Sequence, residues 1–348
     1  LKISIRNLIL PSFLAISTVT IFYTSRISKK LSLLVLTLIV IFDLFYFFNK
    51  ITPFSKADFI YPKTPVVSYL KENAGINRFW GYGDAYVKSN FQTFDKTYSP
   101  EGNDSLYIKS YGELLASSAN GRLPDVLPRR DANIAPGYGS SDLADNFYRQ
   151  RILNLLGVKY VLNKSLVEAY DNTFPREKYK LLWQKLPWQI YENKEALPRF
   201  FMTGEYKVFK NKSEVLKNIY NKDLDLKKFL LLEESPSISI DSNSKGTVRL
   251  VSYTPNKIEF LTKSSGNSLL FLSDNYHPQW HSSVDGKTSK VLVADYTFRA
   301  IPVPKGEHRI EFFYNPLLFL SGLKISVIGL LVLFGIAFWI KKYKHSLN

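Results

Sequence analysis

The sequence predicts a membrane protein in which three transmembrane helices flank an extracytoplasmic mixed α/β domain and an antiparallel β-sandwich. Residues 317–340 form a 24-residue stretch whose only charge is Lys324, and Lys341, Lys342 and Lys344 follow at once. Two more apolar runs, 8–24 and 31–48, stand near the N-terminus. The long segment between these ends shifts, near residue 235, from mixed helix and strand spacing to a period of two. The expected organisation is two spans in 1–50, a mixed α/β domain in 51–235, a sandwich in 236–315, and a span with a basic tail in 316–348.

Each span satisfies the same length argument. A hydrocarbon core about 30 Å thick needs about 20 apolar residues at about 1.5 Å each. The first run is broken only by Pro11 and a few hydroxyls, and the second carries one charge, Asp43. Trp339 suits an interfacial aromatic belt, and Lys324 lies close enough to the opposite interface to snorkel. Arg26–Lys30 and Lys341–Lys344 together hold six Lys/Arg and no acid. The positive-inside rule therefore puts both in the cytoplasm and the segment 51–312 outside the cell membrane. Lys2 and Arg6 pull weakly the other way. A signal peptide fits badly, since the first run ends in a basic cluster and a second span follows. The sequence begins with Leu1 rather than Met, and it reads as a fragment of a longer chain with further N-terminal spans.

Composition bounds the middle. Residues 51–312 carry 36 basic against 29 acidic side chains, interspersed, a net of +7. That is a solvated surface and not a nucleic-acid stripe. Cysteine is absent, so neither disulfides nor thiolate metal sites exist, and an exported domain must be held by its core.

The elements follow in order. Thr64 caps a helix opened by Pro65. Arg78–Tyr82 reads as a strand entering a glycine-containing loop, and 92–146 as mostly loop. Phe147–Leu156 is a basic amphipathic helix ended by Gly157, with a strand, Val158–Leu162, leaving it. Trp188–Tyr191 is a further strand and Lys212–Tyr220 a further helix. From Gly246 the spacing predicts strands through Val248–Ser252, Ile258–Phe260, Ser268–Leu272, Lys290–Val293, Thr297–Ile301 and His308–Tyr314, with a hairpin turn at Val284–Lys287. Ile258, Phe260, Leu270, Leu272, Phe298, Ile310 and Phe312 form the expected sandwich core.

Within this region the ordered series Leu272–Trp280, Val284–Lys287, Asp295–Ala300, Val303–His308 and Phe312–Pro316 resembles the C-terminal signature of the bacterial YfhO-like membrane proteins. Asn154–Leu162 and Leu197-Pro198-Arg199 also resemble that family, and Gln279 departs from it where a glycine usually precedes the tryptophan. The resemblance implies a polytopic glycosyltransferase of the GT-C type. Such an enzyme moves a sugar from a polyprenyl-phosphate carrier to an envelope glycan or teichoic-acid-like polymer. Its catalytic acid lies in a first outer loop, which this chain lacks, so no catalytic residue is carried over. A divalent metal is expected only with that missing part, and no cofactor is expected here.

The chain's own candidates for chemistry are few. His277 and His281 stand four apart, but Pro278 and the strand context argue against a metal pair. Gly81-Tyr82-Gly83 lacks the third glycine of a nucleotide loop. Asp142 and Asp145 are read as solvated loop acids, with a carboxylate pair as the rarer alternative. Asp43 is either a functional intramembrane acid or an interfacial one. Trp80, Tyr82, Tyr86, Tyr276 and Trp280 are candidate sugar platforms, against the commoner role of aromatic core. Three functions stay open: the acceptor-side half of an envelope glycosyltransferase, a non-catalytic scaffold or glycan-binding protein, and a polymer-export subunit.

Because the chain has no cysteine, single introduced thiols report topology cleanly. In intact cells a Cys at Lys287, in the hairpin turn, is expected to react with an impermeant maleimide and one at Ser346 is not. The reverse pattern would invert the orientation.

Overall fold

The computed structural model describes residues 2–23, 28–51, 56, 61, 63–87, 90–135, 146–166 and 173–346. The chain divides into two units, Leu1–Lys63 and Thr64–Asn348.

The first unit is two helices, α1 (Lys2–Tyr23) and α2 (Lys29–Ile51). Hydroxyls are tolerated in these apolar segments because they bond to their own backbone: Thr18 donates to Leu14 O and Thr37 to Leu33 O. Residues 29–49 of α2 are long and apolar enough to cross a bilayer, whereas the apolar part of α1, Leu8–Tyr23, is shorter. Two spans among the described residues, α2 and the C-terminal helix below, thus meet the length requirement, and the third expected span does not meet it on apolar length alone. Arg26 and Ile27 of the expected basic loop lie outside the described residues.

The second unit opens with α3 (Pro65–Asn73), whose cap is the expected one: Thr64 Oγ1 accepts from Val67 N at 3.4 Å. Strand β1 (Arg78–Gly81) follows. A side chain at Gly81 would put its Cβ 2.3 Å from Ala85 O, which is why the chain can turn back so tightly there. Next come α4 (Phe91–Asp95), β2 (Gly102–Asn103), α5 (Lys109–Ala116) and β3 (Asp131–Ala132), the last pairing with β2. The stretch expected to be mostly loop therefore contains α5 and most of α4. At eight residues, with no side-chain cap, α5 leaves little trace in sequence, and it is held by the full burial of Leu114 and Leu115. Asp142 and Asp145 lie outside the described residues.

Helix α6 (Phe147–Leu155) is capped by Asn146 and closed by Gly157 at φ +65°. Its expected basic face is partly internal, since Arg149 is completely buried. Strands β4 (Val158–Lys164), β5 (Tyr179–Lys185) and β6 (Trp188–Asn193) complete a sheet of order β1-β4-β6-β5, in which β1 runs parallel to β4.

The chain then supplies β7 (Phe200–Thr203), β8 (Glu205–Val208), α7 (Lys212–Ile219) and β9 (Phe229–Leu232) before the region of strict alternation. The remaining strands are β10 (Gly246–Tyr253), β11 (Lys257–Ser264), β12 (Ser268–Asn275), β13 (Trp280–Val284), β14 (Lys287–Ser289), β15 (Leu292–Ala294), β16 (Phe298–Val303) and β17 (Gly306–Tyr314). They form a five-stranded sheet, β10-β11-β17-β13-β14, and a six-stranded one, β7-β12-β16-β15-β9-β8. The sandwich thus draws three strands from before residue 236. Leu230, Leu231 and Leu232 of β9 are fully buried, and a continuous apolar run of that kind gives no period by which sequence can assign it to either domain.

Both faces of the six-stranded sheet are covered. Leu270, Leu272, Ile301 and Val303 pack with Ile258, Phe260, Ile310 and Phe312 of the five-stranded sheet. The alternate residues Leu269, Phe271, Phe298 and Ala300 pack on the other side, with Leu153, Leu155 and Tyr191 in a second core. Phe298, expected inside the sandwich, belongs to that second core: β16 begins there, and a period of two sends its side chain away from Ile301.

Helix α8 (Leu317–Ser346) follows β17 after two residues. Its residues Leu317–Ile340 are long and apolar enough to span a bilayer, and the backbone of the expected basic tail stays helical to Ser346. Gln279 fixes the exit: its carbonyl accepts from Asn315 N at 2.9 Å and its side chain accepts from the Tyr314 hydroxyl at 2.5 Å.

Phe312 is completely buried between the sheets, so Phe312→Ala is expected to cost about 3–5 kcal/mol. Pulse proteolysis in detergent would measure it, and a loss under about 1 kcal/mol would contradict the assigned core.

A buried arginine cluster and two cavities as the candidate functional site

Three sheets converge on one carboxylate. Asp274, near the end of β12, is 7% exposed and accepts from Arg78 Nη2 of β1 at 2.9 Å. It also accepts from Arg199 Nη2 at 3.0 Å, just before β7, and from the Tyr253 hydroxyl at the end of β10 at 2.7 Å. Arg299 of β16 stands 3.5 Å away. All three arginines are buried. Arg78 is further held by Leu156 O and Ser273 Oγ, and Arg199 by Ile76 O. Aromatic faces cover part of the charges: Arg199 packs against both Tyr98 and Tyr253, whose rings also meet edge-on, and Arg299 sits 4.0 Å from the Trp280 ring centre.

The electrostatics follow from that crowding. Burial works against the charge of Asp274, but Arg199, Arg78 and Arg299 outweigh it and hold the carboxyl far below its ordinary value. Arg78 and Arg299 are lowered, by burial first and, against the pull of Asp274, by the neighbouring guanidiniums. Arg299 Nη1 is buried and has no hydrogen-bond partner.

This cluster floors a cavity of about 450 Å³ whose walls include Tyr98, Glu101, Tyr107, Tyr111 and Asn275. Glu101 also lines a second cavity of about 280 Å³, with Trp80, Tyr86, Asn103, Asp131 and Asn133. Glu101 Oε1 accepts from Trp80 Nε1 at 2.8 Å and from Ile134 N at 2.9 Å. Burial nevertheless dominates and pushes its carboxyl up to about 7. Asp295, fully buried with only Leu231 N bonded to Oδ1, is likewise pushed up to about 7 by burial.

The predicted aromatics separate under this geometry. Trp80 and Tyr82 are 2% and 6% exposed and belong to the core, though Trp80 also forms part of the smaller cavity wall. Tyr86 lines the same cavity. Tyr276 and Trp280 are half-buried against the sandwich core, and Trp280 serves as the platform for Arg299, not as a free surface. Asp43 lies exposed on α2, in the other unit. His281 stacks on Phe313, while His277 Nδ1 accepts from Gln279 N. Among the described residues no group of three or more metal-ligating side chains occurs.

Arg78, Arg199, Asp274 and Arg299 are not among the predicted site residues, although three of them lie in the motifs given above. The available signal was charge inside apolar strands: Arg299 between Phe298 and Ala300, and Asp274 after Leu269–Leu272. A buried strand does not carry a charge unless a partner awaits it.

These observations define a class: a two-sided β-sheet domain, charged at its centre, whose last strand runs directly into an apolar helix of membrane-spanning length. Residues 234–326 match the sequence profile of the family described as Bacterial membrane protein YfhO, and over this segment the chain is YfhO-like. Over 94 residues it is 30% identical to a protein of Bacillus subtilis (strain 168) described as Uncharacterized protein YfhO, a stretch covering 27% of this chain and 11% of that relative. No solved structure matches.

The acids make opposite predictions for pH. Asp274 is depressed, so its contribution to stability is complete above the ordinary carboxylate value and is lost only as pH falls below it. Glu101 and Asp295 are raised to about 7, so folding favours their protonated forms and stability declines as pH rises from the ordinary carboxylate range to about 7. Melting temperature is expected to drop between about pH 5 and about pH 7.5, and Glu101→Gln to reduce the drop. An undiminished drop in that variant would mean Glu101 is charged throughout.

Proposed function

We propose that this chain is the C-terminal, acceptor-side part of a membrane glycosyltransferase that moves a sugar from a polyprenyl-phosphate carrier to an envelope glycan or teichoic-acid-like polymer. The observation that supports it most is the smaller cavity. Tyr86 offers ring surface beside the buried wall of Trp80, and Glu101, Asn103, Asp131 and Asn133 offer acceptors and donors around it. Apolar sugar faces need the first and sugar hydroxyls the second. YfhO-like character and the direct strand-to-helix connection are consistent with work at a membrane surface. On this reading the domain faces outward, three spans hold it at both ends, and tethering raises the effective concentration of a weakly bound polymer. The catalytic carboxylate lies in a part of the protein outside residues 1–348.

The competing reading, a glycan-binding scaffold without catalysis, shares the cavity and differs in one measurement. A strain lacking the complete gene is expected to lose sugar from an envelope polymer, and the complete gene to restore it where residues 1–348 alone do not. Unchanged glycosylation in the deletion strain would favour the scaffold, and restoration by residues 1–348 would refute the division of labour. In the complete protein Tyr86→Ala is expected to lower sugar incorporation about three- to tenfold, the loss of one aromatic platform.

A further inference from the structure

The larger cavity has a charge that its own residues do not balance. Of its three carboxylates, Asp104 lies on the exposed rim, where its Oδ1 accepts from Leu106 N at 2.8 Å. Glu101 is turned to Trp80 and Ile134. Only Asp274 meets the arginines, so three guanidiniums at the floor face one carboxylate. The tyrosine and tryptophan faces lessen the cost of burying this excess but cancel no charge. Arg299 Nη1, buried and unbonded, is a donor without an acceptor and adds to that cost. A structural ion cluster alone would be better served by a second acid.

We propose that the cavity floored by Arg78, Arg199 and Arg299 is an anion subsite that takes the phosphate group of a phosphate ester. The excess of two positive charges suits a phosphate better than a carboxylate. About 450 Å³ accommodates a phosphate and a small polyol or sugar, with Tyr98, Tyr107 and Tyr111 beside the organic part. The inference stands on the cavity's charge and needs no transfer reaction. The ester has two sources with this chemistry, a soluble glycerol-phosphate unit or a lipid phosphate headgroup.

The test uses residues 1–348 in phosphatidylcholine nanodiscs, titrated by calorimetry with inorganic phosphate and with glycerol 3-phosphate. Chloride and acetate at matched ionic strength are the controls. A parallel arm compares the melting temperature in nanodiscs with and without a polyprenyl monophosphate. Saturable binding of the soluble ester assigns a soluble source, and a rise in melting temperature confined to the lipid arm assigns a membrane source. Asn275→Asp adds a negative charge to the cavity wall without removing an arginine–Asp274 bond, and is expected to weaken phosphate at least about tenfold. Arg299→Gln, if it folds, should do the same. Soluble-ester binding no stronger than that of acetate together with no rise in melting temperature in the lipid arm, or affinity unchanged by Asn275→Asp, would overturn the proposal. Because the readout is binding, loss of the glycosyltransferase reading would leave these results interpretable on their own.

Discussion

The three large sheets of the larger unit meet at the carboxylate of Asp274. Its partners arrive from β1 of the mixed sheet, from the start of β7, from β16 and from the end of β10, so one buried anion ties all three large sheets together. Such a centre is weak evidence for net stability, because desolvating four charges offsets much of their attraction. Its effect is on geometry. Each strand end must be placed to within a hydrogen bond's tolerance, and removing one partner leaves uncompensated, largely desolvated charge. Aromatic rings cover part of the charge: Tyr98 and Tyr253, which meet edge-on, both lie against Arg199.

That constraint accounts for the layering. A sheet buried on both faces needs apolar residues at consecutive positions, and β12 supplies them from Leu269 to Leu272. The hydrophobic effect then drives both layers onto it without choosing their register. The ion cluster sits at the end of β12, where that strand's pairing with β16 shifts between Leu272 and Asn275. Apolar packing thus supplies the energy, and the directional bonds of Asp274 choose one arrangement among many with similar buried area.

The legible parts of the fold were those with a period or a cap. Thr64-Pro65 at the start of α3, Gly157 at the end of α6 and the alternation in β10, β11 and β17 are local physics, and local physics is written in neighbouring residues. What stayed hidden depends on long-range contacts. Nothing near β9 shows that Ala294 will pair with Leu232, and so the sandwich's earlier strands could not be told from the preceding domain. Arg149 looks like a solvated helix charge until the fold buries it. The candidate site was illegible for the same reason. Arg78 and Asp274 are 196 residues apart in the chain, and only the completed sheets bring them together. The smaller cavity was half legible, since Trp80 and Tyr86 stood out as aromatics while Glu101, from a stretch read as loop, did not.

The same centre is joined to the membrane-spanning helix by a short run of contacts. Arg299 stacks on Trp280, Trp280 packs against Tyr314 at 5.6 Å, and the Tyr314 hydroxyl donates to Gln279, whose carbonyl holds Asn315 two residues before α8. Tyr314 and Trp280 are also directly opposed in the β13–β17 ladder. No flexible linker separates the helix from the sheet, so the direction in which α8 leaves is set by the strand and by Gln279. A glycine at that position would keep the carbonyl bond and lose the side-chain one, freeing the last turn before the helix. In this chain the side chain closes that freedom. The orientation of the arginine-floored cavity relative to α8 is thereby fixed through consecutive packed rings and hydrogen bonds, which is the arrangement a site must have if a helix is to present it at a constant attitude to whatever lies along a bilayer.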